Sequence, residues 1–70
     1  MVPDSELYNP NPQYLRSLIE ITGLSQAEAA RRLGLGGRVM RRYLADRNAA
    51  TALEAPYLVQ FGLECLAKGD

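Results

Sequence analysis

The chain has no histidine, no tryptophan and a single cysteine, Cys65. One cysteine cannot close an internal disulfide, and without histidine the usual Cys/His zinc sets cannot be assembled. The missing imidazole also removes the commonest general base, leaving Ser5, Ser17 and Ser25 with nothing to activate them as nucleophiles. No pair of carboxylates is clustered on one helix face. Neither catalysis nor a metal or cofactor is expected. No run approaches the roughly 18 apolar residues that cross a bilayer. The start, MVPDSELYNP, has neither the basic end nor the apolar stretch of an export signal, so a cytoplasmic protein without a membrane contact is expected.

An excess of charge of either sign is lacking as well, since eight basic residues balance eight acidic ones. Overall neutrality disfavours a polyanion partner, but the charges are not spread evenly. From Ser25 to Arg47 six arginines (31, 32, 38, 41, 42 and 47) face only Glu28 and Asp46, a local excess of four positive charges. The flanks carry the compensating acids, with Arg16 and Lys68 against six carboxylates. A polyanion responds to the local field, and that field is basic at the centre of the chain.

What is present reads as all-helical. Pro3, Pro10 and Pro12 interrupt a polar start, so residues 1–10 are expected as a flexible arm and residues 11–70 as one folded domain. Asn11-Pro12 is a helix start, a capping side chain followed by proline at the first position. Tyr14, Leu15, Leu18, Ile19 and Ile21 recur at spacings near three and four, the pattern of an amphipathic helix that Gly23 ends. Ser25 and Glu28 form the S-x-x-E capping box of a second helix, with Ala29, Ala30 and Leu33 facing inward. Leu35 pins a short turn after Gly34. A third helix is expected from about Gly37 to Leu44, with Met40, Tyr43 and Leu44 inward. ADRNAATALEA reads as a loop, and Ala55-Pro56 opens a last helix reaching about Ala67. The fold class is thus a small four-helix domain.

Two helices joined by a short glycine-containing turn form a helix-turn-helix, whose second helix enters the DNA major groove N-terminus first. That helix carries Arg38, Arg41 and Arg42, and spacings of three and four place all three on one side. Arginine offers a planar fork that matches guanine and also pairs with phosphate. Arg38 and Arg42 are expected nearest the bases, with Arg41 at the groove edge. Ser25 and Gln26, at the start of helix two, are candidate phosphate contacts, as is Arg47 from the loop. The side-chain-poor entry Gly36-Gly37 lets the backbone at Gly37 come close to DNA. A nucleotide-binding loop is a poor fit to GLGGR, which has no strand before it and no lysine. Arg31 and Arg32 are read as solvated charges at the end of helix two, where cations favour the dipole.

The last helix, YLVQFGLECLA, is apolar nearly all round, whereas a surface helix needs one apolar stripe. One face can cover the domain, and the remainder suits a second copy of the chain. Tyr57, Leu58, Phe61, Gly62, Cys65 and Leu66 are the candidate dimer interface, with Gly62 admitting a close helix. The competing reading is a protein-interaction module that uses this helix, with the arginines as plain surface.

The stretches NPNPQYLRSLIEITGLSQAEAARRLGLGGRVMRRYL and APYLVQFGLECLA resemble the small anti-CRISPR-associated (Aca) helix-turn-helix repressors of phages and mobile elements. The likeness spans about residues 9–67 and is most specific in G-R-V-M-R-x-Y-L and A-P-Y-x-V-Q-F-x-L-E-C-L-A. It implies a homodimer in the host bacterial cytoplasm that binds an inverted repeat in double-stranded DNA. Such a dimer represses an anti-CRISPR operon together with its own gene, and no small-molecule effector is implied. The resemblance also makes Arg38 the principal base reader. Where family members carry basic residues just after Ser-Gln, this chain has Ala27 and Glu28.

Overall fold

The computed structural model describes residues 2–46 and 48–69. After a 3-10 turn at Ser5–Leu7 come four helices: α1 (Pro12–Thr22), α2 (Gln26–Arg32), α3 (Gly37–Leu44) and α4 (Tyr57–Lys68). No strand occurs among the described residues, and the all-helical expectation holds. Each early boundary has a local cause. Asn11 Oδ1 accepts the Gln13 N–H at 2.9 Å ahead of Pro12, and Gly23 leaves α1 at φ 74°. Ser25 Oγ accepts the Glu28 N–H at 3.1 Å, which starts α2. The return half of the expected capping box is not made. The Glu28 carboxylate turns instead to Arg31 and Arg32, because two guanidiniums offer charged partners that a backbone N–H does not.

The core is drawn from all four helices. Leu15, Leu18 and Ile19 come from α1, Ala29 and Ala30 from α2, Met40 and Leu44 from α3, and Val59 and Leu63 from α4, with Ala55 just before it. α1 lies mainly against α4 and also touches α3, while α2 packs on α3. The two alanines are essentially inaccessible, and their small size lets α2 come in close. Ile21, which shares the apolar spacing of α1, is 67% exposed. It follows Ile19 by two residues, about 200° around the helix, so it faces away from the core.

Residues 4–9, within the stretch expected as an arm, are laid along α4. The Asp4 N–H donates to the Tyr57 hydroxyl at 2.6 Å, and the Tyr8 hydroxyl donates to the Ala55 carbonyl. Gln60 supplies the main clasp. Its Oε1 accepts the Asn9 N–H at 2.7 Å, while its Nε2 donates to the Leu7 carbonyl at 2.9 Å and to Glu64 Oε2 at 3.2 Å. Gln60 is 1% exposed, the sole polar residue among the buried ones described. A buried amide is tolerated only when bonded, and the exposed segment beside it provides the partners. Tyr14 completes the network by donating its hydroxyl proton to Glu64. That bond, reinforced by burial, pushes the Tyr14 pKa up to about 12.

Candidate nucleic-acid interface

The turn between α2 and α3 is built by backbone bonds. Gly34 adopts φ 74°, a left-handed conformation that favours glycine. The Leu35 N–H reaches the Ala30 carbonyl at 2.8 Å and the Gly34 N–H reaches the Arg31 carbonyl at 3.1 Å. This pair of bonds is the Schellman end of a helix. It swings Leu35 in against the core and releases the chain into α3. Gly36 precedes α3 at φ −69°, ψ 146° and gives it no side-chain cap. Glycine there costs only a few tenths of a kcal/mol relative to a capping residue. Burying Met40 and Leu44, at 0% and 2% exposure, contributes roughly 1.5–3 kcal/mol each. Core packing on one face therefore decides whether this eight-residue helix forms, not its cap.

With Met40 and Leu44 inward, and Val39 and Tyr43 half-buried at the sides, Arg38, Arg41 and Arg42 all project outward. They share one open groove of about 430 Å³, lined besides by Thr51. Arg38 and Arg41 have no ion pair or hydrogen bond among the described residues. Arg42 differs from them. Its Nε–H donates to the Thr51 carbonyl at 2.9 Å, and its own carbonyl accepts the Leu53 N–H at 3.1 Å. Arg42 is thereby tied to the segment after α3, a role that its position on the arginine face did not foretell.

The two positive charges on α2 are offset in part by Glu28. Glu28 contacts Arg31 at 2.6 Å and Arg32 at 3.3 Å, and the Arg31 bond holds the Glu28 carboxyl below the usual range. The larger positive excess thus lies on α3, which has three arginines and no acid, against an excess of one on α2. At the start of α2, Ser25 and Gln26 are exposed beside Arg16, Glu20 and Leu24. Capping uses a lone pair of Ser25 Oγ as acceptor, so its O–H is still able to donate outward. Gly37 is exposed at the first turn of α3, with open space where a Cβ would stand. Arg47 lies outside the described residues.

The six residues expected at a dimer interface divide. Leu58 is 75% exposed, and Tyr57, Phe61 and Cys65 are half-buried on the same outer side of α4. Tyr57 meets Tyr8 edge-on and Phe61 at a tilt, each with ring centroids 6.2 Å apart. Gly62 and Leu66 turn toward the domain itself. A Cβ added at Gly62 would lie 2.7 Å from Leu33 Cδ2, so the glycine admits a leucine of its own chain where a second helix was expected. Leu66 packs against the core. Thr51 was missed in the sequence, because a lone threonine in an alanine-rich loop carries no periodic or motif signal. No family model matches this chain, and no curated protein is significantly similar to it.

Proposed function

We propose that the protein is a sequence-specific DNA-binding repressor that acts as a homodimer, with α2 and α3 as the helix-turn-helix. The observation that carries this reading is the outward face of α3, where Arg38 and Arg41 have no partner among the described residues, on a helix whose opposite face is locked into the core. A rigid platform matters because base recognition requires side chains held in register with base edges. Arg38, on the first turn, is the base reader. Arg41 follows at the groove edge, and Ser25, Gln26 and the Gly37 backbone meet phosphates. Leu58, Tyr57, Phe61 and Cys65 form the contact between copies. Two recognition helices related by a two-fold axis read half-sites about 34 Å apart, hence an inverted repeat. The likeness to anti-CRISPR-associated repressors makes the operator that of an anti-CRISPR operon containing this gene.

The test is Arg38→Ala, assayed by gel shift on the duplex that the wild-type chain enriches from a random library. Arg38 is exposed and has no partner among the described residues, so the variant should melt like wild type. Loss of one bidentate base contact per half-site costs about 1–3 kcal/mol each, and discrimination should relax at one symmetric base-pair position. Undiminished affinity and selectivity would remove Arg38 from the reading role. The protein-interaction reading rests on the exposed Leu58. A phosphate-binding protein loses orders of magnitude in duplex affinity between low and moderate salt, and a flat salt dependence favours that alternative.

A further inference from the structure

The segment after α3 is folded back on the helix by an ordered series of bonds. Asp46 Oδ1 accepts the Asn48 N–H at 2.9 Å, and the Asp46 carbonyl accepts the Ala49 N–H at 2.8 Å. The Ala52 N–H then reaches the Ala49 carbonyl at 3.1 Å. Arg42 closes the series at both ends of its residue, with Nε on Thr51 and its carbonyl on Leu53. The result is a wall beside α3, and Thr51 in that wall lines the same groove as Arg38, Arg41 and Arg42.

Three features distinguish this groove. Among the described residues it is lined by three guanidiniums and no carboxylate, whereas the grooves beside α1 include Glu20 in one case and Asp46 in another. Each of those balances its carboxylate against Arg16, so a phosphate is drawn more strongly to this one. Arg42 stands four residues beyond Arg38, about 6 Å further along the helix axis. Recognition helices meet base edges with their N-terminal residues, so a residue one turn later lies toward the DNA backbone. Finally, the Arg42 guanidinium is held by the Thr51 carbonyl. Its Nε edge is committed, leaving only the terminal amino groups to point at a ligand.

We infer that the groove between α3 and the 48–53 wall seats one DNA backbone phosphate, bounded by Arg41 and Thr51, with Arg42 as the positioning residue that builds it. This inference rests on the DNA-binding reading. It moves Arg42 from reading bases to fixing the register of the recognition helix on the duplex, which leaves base choice to Arg38.

The experiment uses the full chain and a duplex enriched by the wild-type chain, prepared with single methylphosphonates that neutralise one phosphate at a time. One position per half-site should weaken wild-type binding about tenfold, the worth of a charged hydrogen bond. The same substitution should have little further effect in Arg42→Ala or Thr51→Val. Arg42→Ala should weaken binding to all sequences alike and lower the salt slope by about one per half-site. Arg38→Ala should keep the phosphate sensitivity and lose base discrimination. Arg42→Lys, which keeps the charge and loses Nε, should speed hydrogen exchange at the Leu53 N–H in the free protein. Unchanged Leu53 exchange overturns the positioning role. Relaxed choice at one base pair in Arg42→Ala, with an unaltered phosphate profile, overturns the phosphate seat and returns Arg42 to the bases. A wild-type chain that enriches no duplex overturns the DNA-binding reading itself.

Discussion

Replacing Gln60 by alanine tests whether the N-terminal segment is part of the folded unit. The side chain makes two bonds to backbone groups, at Asn9 and Leu7, and one to the Glu64 carboxylate. Neutral bonds of this kind contribute about 0.5–1.5 kcal/mol net and one to a carboxylate about 1.5–3. Leu7 and Asn9 are exposed residues, so their orphaned backbone groups rehydrate, which favours the lower end of each range. The loss of buried methylene adds about 0.8 kcal/mol. The expected destabilisation is about 3 kcal/mol, or roughly 12–24 °C in Tm for a domain of this size. Thermal melts by circular dichroism measure it, and hydrogen exchange at the Asn9 N–H locates it. Gln60→Glu is the companion variant, since its second oxygen faces the Leu7 carbonyl and Glu64 without a proton to donate. It should be destabilised at neutral pH and recover as acid restores the donor. A Gln60→Ala protein within about 0.5 kcal/mol of wild type would refute the clasp, for it then contributes less than one ordinary hydrogen bond.

Gly62→Ala gains about 1 kcal/mol of helix propensity but drives a methyl to 2.7 Å from Leu33 Cδ2. The close atom ends a side chain that can turn aside, so overpacking stays near the low end of about 1–3 kcal/mol and largely cancels the gain. Denaturant titrations should show a net change under about 1 kcal/mol, and in a Leu33→Ala background Gly62→Ala should become a gain. Leu58→Glu, at a side chain 75% exposed, should leave the monomer's melting intact. It should halve the sedimenting mass if the outer side of α4 joins two copies, and a monomeric wild type at micromolar concentration would refute that interface. The Tyr14 hydroxyl, held protonated to about 12 against 10 in the unfolded chain, contributes stability that is whole below pH 10 and lost as pH rises to about 12. Tyr14→Phe should flatten that decline and remove the tyrosine titrating at about 12 in the ultraviolet titration, leaving Tyr8, itself raised by burial and Glu54. A tyrosine still titrating at about 12 in the variant would count against the assignment.

The helices were legible because their ends are written locally. Asn11-Pro12, Gly23, Ser25 and Gly34 each act within a few residues, and α3 spans Gly37–Leu44 as its spacing predicts. The arginine face followed from the same periodicity. Contacts across some fifty residues have no such signature. Gln60 is a lone amide in an apolar helix and carries no signal of its own, yet it is the buried clasp for residues 7 and 9. Gly62 read as room for a partner and is room for Leu33. The wall after α3 is made from turn bonds and one arginine Nε, which leave no hydrophobic period to detect. Arg42 therefore looked equivalent to Arg38 in sequence, while the structure gives the two different partners.

The clasp also sets a timetable for biosynthesis. Asn9 and Gln60 are separated by 51 positions, which a ribosome elongating at 5–20 residues per second covers in roughly 3–10 s. During that interval Leu15, Leu18 and Ile19 lack the helix that α1 mainly packs against, and the N-terminal strap has nothing to hold it. α3 emerges before that covering element, so Arg38, Arg41 and Arg42 are translated ahead of the scaffold that holds them. Proteases and chaperones meet a nascent chain with its apolar side uncovered. Emergence of α4 is the step that withdraws it from their reach.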